Sequence, residues 1–226
     1  SLSLEIHMET LAYGRRGIPQ LVENLQREEA RAHALRILAH SALAAPQAKA
    51  EALNASQTIA HTLLNLLNAP EPDMRADAAT VIGLLARAYQ GRIAAHEANC
   101  VPALEKTATA DADAAVAKAA AAALVELSRS RDGCLLLIAQ EPIVARLTAA
   151  LMPPTPASAG CLATLANLLN RDLGVAAALA SGLVPRLLAL LAAADPAAET
   201  AQLDALRALW NICNTFAGKE AAVEAE

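Results

Sequence analysis

The sequence has 226 residues, 55% of them hydrophobic and 2% aromatic, and a net charge of −5 at pH 7. An acidic chain lacks the basic surface that nucleic-acid binding requires, so we expect no nucleic-acid partner. No segment reaches the roughly 18 uninterrupted apolar residues of a membrane span. The first ten residues include Glu5 and Glu9, where a signal peptide would be apolar. We therefore expect an intracellular chain without membrane contact, whose core consists of Ala, Leu, Val and Ile.

A short apolar sequence segment with proline or alanine at its centre occurs five times along the chain. Equivalent positions are Pro19, Ala60, Pro102, Ala145 and Pro185, which are 40 to 43 residues apart. A period of this length is typical of helical solenoids, in which each repeat packs only on its neighbours. The spacing predicts one array over 1–226, with approximate repeats at 12–55, 56–98, 99–140, 141–180 and 181–226. Because the last repeat is incomplete, we expect the array to be truncated at its C-terminus.

Each repeat is predicted to contain three helices. In the last complete unit of three helices, which begins before residue 181, these are 172–180, 183–194 and 197–216. Gly182 separates the first from the second, since glycine can adopt a positive φ at a helix end. Pro185 lies in the first turn of the second helix, where its missing N–H costs nothing. Helical spacing in the third helix predicts one buried stripe, formed by Leu203, Leu206, Leu209 and Cys213.

Buried stripes are also predicted in the third helices of the other four repeats. Asp111 and Asp113 precede one of these helices and are expected to cap its start rather than form a catalytic pair. The apolar positions recur every three or four residues. They are Ala34, Leu35, Leu38 and Ala42; Met74, Ala78, Val81, Ile82 and Leu85; Val116, Ala120, Ala123, Leu124 and Leu127; and Cys161, Leu162, Leu165, Leu168 and Leu169. The predicted fold class is therefore all-α.

The order of elements within a repeat resembles the armadillo repeat. A short helix is followed by Gly-x-x-Pro-x-Leu-Leu, as at 182–188, and a longer helix ends in Leu-x-Asn-Leu, as at 165–168 and, in similar form, at 210–214. HEAT repeats have two helices and usually lack the Gly-x-x-Pro entry, so they fit less well. The resemblance covers nearly the whole chain. It implies a right-handed superhelical solenoid of about five three-helix repeats, whose third helices line a concave groove.

The residue types that usually carry catalysis or metal binding form no recognisable motif. The five histidines include no H-x-x-x-H or H-E-x-x-H arrangement, and nucleophile-elbow and phosphate-loop sequences are absent. The four cysteines, Cys100, Cys134, Cys161 and Cys213, are isolated and are expected to pack as small apolar groups in a reducing compartment. We predict that the chain is not an enzyme and has no cofactor, metal or small-molecule substrate.

The first candidates for protein binding lie on the third helices. Trp210 and Asn214 are four residues apart and so share one helix face. This spacing is similar to the Trp/Asn ladder with which importin-type armadillo proteins hold extended peptides. Asn167 aligns with Asn214, but Ala163 takes the tryptophan position, so the ladder is incomplete and a nuclear-import receptor is not expected. Two interpretations of Trp210 stay open: it covers the end of the array, or it anchors a partner in the groove.

Arginines on or near the third helices are the remaining candidates. They are Arg75, Arg87, Arg129, Arg171 and Arg207. Together they would line a groove for an acidic segment of a partner, despite the negative total charge. Alternatively, each is a solvated surface group.

A second resemblance concerns the N-terminal half. The segments 11–16 and 20–26 are similar to the entry of the radial spoke head 14 family, where an Ala-Tyr-Gly segment precedes the first repeat, and residues 63–68, 74–75, 91–92 and 96–97 are similar as well. The resemblance implies a non-catalytic structural subunit that binds other radial spoke or axonemal proteins. It also implies a location in the cytoplasm, at the axonemal cytoskeleton of cilia and flagella. The alternative is a soluble cytosolic adaptor that binds extended peptides in its concave groove.

Overall fold

The computed structural model describes residues 17–140, 142–152, 155–192 and 199–225. Fifteen α-helices and no strand occur in these ranges, which confirms the all-α prediction. In chain order they are α1 Gly17–Asn24, α2 Glu28–Ile37, α3 Pro46–Ala55, α4 Ile59–Leu66, α5 Pro72–Ala86, α6 Tyr89–Glu97, α7 Cys100–Ala110, α8 Ala114–Ser128, α9 Arg131–Ile138, α10 Ile143–Ala149, α11 Ser158–Leu168, α12 Asp172–Ala180, α13 Leu183–Ala192, α14 Glu199–Cys213 and α15 Phe216–Glu224. A π-helical segment, Leu38–Ala42, continues α2.

Three of the described helices lie within each of the five predicted repeats. The helices predicted as third helices are α2, α5, α8, α11 and α14. Contacts divide the chain into two compact units, 1–103 and 104–226. Within the first unit α2 contacts α5, and within the second α11 contacts both α8 and α14. That residues 1–226 form one array stays a prediction.

Each of the helices α5, α8, α11 and α14 is followed by a helix that crosses it closely, and a glycine in the following helix makes this close crossing possible. A Cβ atom added at Gly133 of α9 would lie 1.8 Å from the carbonyl oxygen of Leu127, so only a bare backbone fits there. The glycines at the third residue of α6, α12 and α15 are equally close to a carbonyl oxygen; they are Gly91, Gly174 and Gly218. Each glycine lies against the carbonyl group of one residue of the preceding third helix. These four residues therefore occupy equivalent positions in their repeats; they are Leu85, Leu127, Leu168 and Ile212.

Arginines near helix starts bind carbonyl groups at the end of the preceding helix or in the turn that follows it. The Nε atom of Arg31 in α2 donates to the carbonyl oxygen of Leu25 at 2.9 Å. The Nη1 atom of Arg75 in α5 donates to the carbonyl oxygen of Ala69 at 3.1 Å. Arg92 does the same at the start of α6. These cations also lie at the negative end of the preceding helix dipole, where positive charge is stabilising.

Helix starts follow the predicted turn chemistry. Gly182, before α13, has a φ of 67°, and Asn99, before α7, has a φ of 57°. Both residue types tolerate this left-handed conformation. The side chain of Asp113 accepts hydrogen bonds from two backbone N–H groups in the first turn of α8, at 2.9 and 3.1 Å. The predicted capping role is therefore confirmed for Asp113. Asp111 instead accepts from the N–H of Asp113 at 2.9 Å and so binds the cap residue rather than the first turn of the helix.

The predicted buried stripes are confirmed in α8 and α11, where every predicted position is buried. The stripes of α2 and α5 are also buried, apart from Ala42 and Met74, which are half-buried. Alanines also occupy the exposed side of α8, as at Ala114, Ala115 and Ala122, whereas the leucines of α8 and α11 are buried. In these helices the spacing of the leucines therefore identifies the core side.

The stripe predicted in α14 is wrong. Leu203 and Leu206 are 54% and 53% exposed, while Leu209 and Cys213 are half-buried. The buried side chains of this helix include Ala205, Ala208 and Ile212. α14 contacts α11 and α13 through this narrower face, because alanines allow neighbouring backbones to approach. The spacing pattern was misleading because α14 carries apolar residues on two faces, and the leucines occupy the outer one.

The end predicted for α14 at residue 216 also differs from the structure. α14 ends at Cys213 because Thr215 starts the next helix. The Thr215 hydroxyl accepts a hydrogen bond from the N–H of Gly218 at 3.0 Å, as an N-cap does. The predicted helix ends at 193–194 and 197–198 lie outside the described residues.

Candidate functional site

In the unit 104–226, the third helices α11 and α14 flank an open groove of about 480 Å³. Its lining combines three asparagines, three large apolar side chains, an alanine and an arginine: Asn167, Asn170, Asn211, Leu203, Leu206, Trp210, Ala166 and Arg207. Three of the predicted binding residues, Trp210, Asn167 and Arg207, therefore lie together. Asn214 follows the end of α14 and does not line the groove.

The structure corrects the alignment of the asparagines. Asn167 precedes Leu168 and Asn211 precedes Ile212, and these two apolar residues are equivalent by their contacts with the glycines of α12 and α15. The equivalent of Asn167 is therefore Asn211, and the equivalent of Asn214 is Asn170. Asn211 was missed as a candidate, although the signal was present: Ala-Asn-Leu at 166–168 matches Trp-Asn-Ile at 210–212.

Hydrogen bonds to neighbouring helices hold both equivalent asparagines by their amide nitrogens. The Nδ2 atom of Asn167 donates to Oγ of Ser128 on α8 at 2.9 Å. The Nδ2 atom of Asn211 donates to Oδ1 of Asn170 at 3.2 Å and lies 3.4 Å from the carbonyl oxygen of Ala166. Within the described part of the chain, no donor is bonded to the amide oxygens of Asn167 and Asn211. The groove therefore offers two oriented hydrogen-bond acceptors from adjacent repeats.

One wall of the groove is apolar and exposed. Leu203, Leu206 and Trp210 follow each other at intervals of three and four residues and so share one face of α14. Trp210 is 71% exposed. The residues of α11 equivalent to Leu206 and Trp210 are Leu162 and Ala166, which are 1% and 6% exposed. The contrast shows that α14 presents an uncovered apolar surface where α11 has a covered one.

Two predicted arginines of this unit form ion pairs in which the guanidinium group is largely exposed and the carboxylate is mostly buried. The Nη1 atom of Arg207 lies 3.4 Å from Oδ1 of Asp204, with the side chains 76% and 15% exposed. Arg129 follows the end of α8, and its Nε atom lies 3.1 Å from Oε2 of Glu126. Because the guanidinium groups face solvent, each can receive a carboxylate of a partner without giving up its own ion pair.

The other three predicted arginines are placed elsewhere. Arg75 donates to the carbonyl oxygens of Ala69 and Pro70, and Arg87 is exposed after the end of α5. Both belong to the unit 1–103. Arg171 is half-buried before α12. Of the three predicted arginines in the unit 104–226, Arg207 is the one that lines the groove between α11 and α14.

A buried carboxylate in the same unit has a structural partner. Glu105 of α7 is 5% exposed, and its Oε2 atom lies 2.5 Å from Nε of Arg146 on α10. Burial raises the pKa of Glu105, whereas the charge and hydrogen bond of Arg146 lower it. Neither side chain lines the groove. We therefore interpret the pair as a link between successive second helices.

Three of the four cysteine thiols are buried, as predicted, and Cys213 is half-buried. Burial raises the pKa of the Cys100 thiol to about 12 and that of Cys161 to about 11. It also raises the pKa of Cys134, whose Sγ atom donates to the carbonyl oxygen of Ser128 at 3.0 Å. Since the thiolate is the reactive form, these side chains have the chemistry of small core groups.

No cluster of three or more His, Cys, Asp or Glu residues that could hold a metal ion occurs in the described ranges. One histidine pairs across third helices of the unit 1–103: the Nε2 atom of His40 lies 2.9 Å from Oδ1 of Asp77.

None of the described helices, taken singly, is both long and apolar enough to cross a membrane. α12 and α13 reach that length only as a pair, bent by 81°.

No protein-family model matches the sequence, and a comparison with curated proteins finds no match. Solved structures are similar. An engineered protein has a TM-score of 0.81 and 25% sequence identity, over 92% of this chain and 84% of that one. A designed armadillo repeat protein has a TM-score of 0.80 and 22% identity, over 92% and 87%. A designed armadillo repeat protein in complex with peptide (KR)4 has a TM-score of 0.80 and 21% identity, over the same shares.

These similarities identify the fold. The chain has the all-α, armadillo-type solenoid fold that the repeat spacing and the Gly-x-x-Pro entry predict. A fold of this kind does not by itself define a function, which has to be argued from the residues of the site.

Proposed function

We propose that the chain is a non-catalytic, protein-binding scaffold that holds an extended segment of a partner in the groove between α11 and α14. The observation that carries this proposal is the pair of equivalent asparagines, Asn167 and Asn211, whose amide nitrogens are bonded within the protein. Their oxygens would accept hydrogen bonds from backbone N–H groups of the partner. A helix has already used its N–H groups internally, so these acceptors favour an extended segment.

Pre-organisation supports the same site. The bonds to Ser128 and Asn170 fix the two asparagine side chains before a partner arrives, which lowers the entropy cost of binding. The designed protein in complex with peptide (KR)4 is an example of an armadillo repeat protein with a bound peptide. Trp210 would contribute contact area beside the hydrogen bonds, since tryptophan is enriched at interface hot spots.

A photo-crosslinking experiment tests this function. A benzoylphenylalanine residue is introduced at position 203, where it replaces an apolar side chain of the groove and leaves Arg207 in place, and in a matched protein at position 173, an exposed leucine on α12 outside the groove. Both proteins are irradiated in a cell extract, and crosslinked partners are identified by mass spectrometry. The proposal expects defined protein partners from position 203 and not from 173. Equal crosslinking from both positions would argue against a specific groove.

We further propose a narrower role: a structural subunit of the ciliary or flagellar axoneme, bound to radial spoke proteins. It is supported by the sequence resemblance of residues 11–26 and 63–97 to the radial spoke head 14 family. Tagged protein in a ciliated cell should then remain with isolated axonemes through detergent and high-salt washes. Release into the soluble fraction would contradict the axonemal role and favour the cytosolic adaptor, which binds short peptides alone.

A further inference from the structure

The groove between α11 and α14 has a chemical composition that selects among extended partners. Three large apolar side chains form one wall, and two of them, Leu206 and Trp210, are exposed where their equivalents in α11 are buried. Exposed apolar clusters of this kind mark interaction sites rather than ordinary surface. Because the wall has no polar group other than the indole N–H, the side chain that covers it has to be large and apolar.

The charges of the groove are equally specific. Arg207 is the charged residue of the lining, and no carboxylate side chain is part of that lining. The side chain of Asp204, which pairs with Arg207, is 15% exposed. A lysine or arginine of a partner would therefore find a positive charge and no exposed counter-ion. A carboxylate would find the largely exposed guanidinium of Arg207, which offers several N–H donors.

We propose that this groove recognises an extended segment in which a large apolar residue neighbours an acidic residue. This inference rests on the proposed function and specifies its ligand. The apolar side chain covers Leu203, Leu206 and Trp210, the carboxylate pairs with Arg207, and backbone N–H groups bond the oxygens of Asn167 and Asn211. The preferred sequence is thus opposite in charge to the (KR)4 peptide of the designed armadillo protein.

The single tryptophan of the chain provides a direct signal for this test. Trp210 is the one tryptophan in the sequence and is 71% exposed, so covering it should shift its fluorescence to shorter wavelength. The full chain is titrated with four peptides of eight residues, built from Leu-Asp, Ser-Asp, Leu-Lys and Lys-Arg pairs. The Ser-Asp peptide removes the apolar side chains at constant charge, and the Leu-Lys peptide reverses the charge at constant apolar content.

The expected result is a saturable blue shift with the Leu-Asp peptide. The Ser-Asp and Leu-Lys peptides should each bind at least about tenfold more weakly, a difference of roughly 1.4 kcal/mol, and the Lys-Arg peptide should bind most weakly. Leu206→Glu should abolish binding of the Leu-Asp peptide. Leu173→Glu, an equivalent change at an exposed leucine outside the groove, should leave it unchanged.

The remaining outcomes separate this inference from the proposed function. Tighter binding of the Lys-Arg or Leu-Lys peptide, reported by Trp210, would overturn the stated specificity and keep the groove as a peptide site. Failure of all four peptides to bind would contradict both. The apolar wall could instead be covered by a second copy of the chain, and analytical ultracentrifugation of the free chain tests this. A dimer that dissociates in Leu206→Glu would show that a second copy binds there, and would overturn the inference.

Discussion

The amide nitrogen of Asn211 on α14 lies 3.2 Å from the side-chain oxygen of Asn170, two residues after the end of α11 in the preceding repeat. Asn167 is bonded in the same manner to Ser128 of the repeat before that. The two bonds connect three successive third helices on the side of the groove. They orient the amide oxygens of residues 167 and 211, on which partner binding is proposed to depend.

The first prediction separates Asn211 from Asn214. Asn211→Ala should weaken binding of the Leu-Asp peptide about three- to tenfold, as expected for one hydrogen bond of roughly 0.5–1.5 kcal/mol. Asn167→Ala should have a similar effect. Asn214→Ala is the matched control and should bind normally, because Asn214 does not line the groove. Equal losses for Asn211→Ala and Asn214→Ala would contradict the corrected alignment. Circular dichroism confirms that each variant is folded.

The second prediction concerns the close crossing of α8 and α9. Gly133→Ala should destabilise the protein by about 3 kcal/mol, because the new Cβ atom would lie 1.8 Å from the carbonyl oxygen of Leu127. Gly182→Ala should cost only about 1 kcal/mol, since its φ of 67° is strained for alanine but no atom lies within 4 Å of the new Cβ. Urea unfolding measures both values. A smaller effect at Gly133 than at Gly182 would show that the crossing is easily adjusted.

The third prediction concerns the pair of Glu105 and Arg146. Arg146→Ala removes the partner of a buried carboxylate and should destabilise the protein by about 3 kcal/mol. Replacing both residues, in Glu105→Gln with Arg146→Ala, should cost less than Arg146→Ala alone, since no charge is then left unpaired. If the double variant were less stable than Arg146→Ala, the unpaired carboxylate of Glu105 would not be the reason why Arg146→Ala loses stability.

The same carboxylate predicts a pH dependence. Burial raises the pKa of Glu105 above its ordinary value of 4.5, so the folded state binds this proton more tightly than the unfolded state. The stability that this contributes is fully present below pH 4.5 and is lost as pH rises through the folded-state pKa. Relative to Glu105→Gln, the wild type should therefore lose stability with rising pH in that window and then reach a constant difference. If the wild type instead gained stability relative to Glu105→Gln as pH rises, Arg146 would outweigh burial.

The fourth prediction uses the cysteines. In the native protein, Cys213 should react first with a thiol reagent such as DTNB at pH 8, because it is half-buried while Cys100, Cys134 and Cys161 are buried. Burial also keeps the pKa of Cys100 near 12 and that of Cys161 near 11, so few thiolates form at pH 8. Cys213→Ser should remove the fast phase. Rapid reaction of several thiols in that variant would indicate a loosely packed core.

Much of the fold follows from the sequence because its signals are local. Turns and helix starts can be read without tertiary information from the apolar segments that recur every 40 to 43 residues. Asp113 and Gly182 mark such positions in the same way. The stripes of α8 and α11 follow as well, since the leucines of each helix lie on its buried side. α14 has an alanine face and a leucine face, and the choice between them depends on how closely α11 and α13 approach.

The candidate site was harder to derive for a related reason. Trp210 and Asn167 could be selected by residue type, but the partner of Asn167 depends on the helix register that Gly174 and Gly218 impose. A pairing based on four-residue spacing chose Asn214 over Asn211. The arginines were also ambiguous. Arg75 and Arg207 look alike in the sequence, yet one bonds backbone carbonyls and the other lines the groove.

The most direct test of the central claim is a ¹H–¹⁵N NMR titration of the full chain with the Leu-Asp peptide. We expect saturable shifts of the Trp210 indole N–H and of the side-chain amides of Asn167 and Asn211, with little change at Leu135 and Leu173 on α9 and α12. Shifts concentrated at Leu135 and Leu173, with the Trp210 indole unmoved, would contradict the assignment of the groove between α11 and α14 as the binding site.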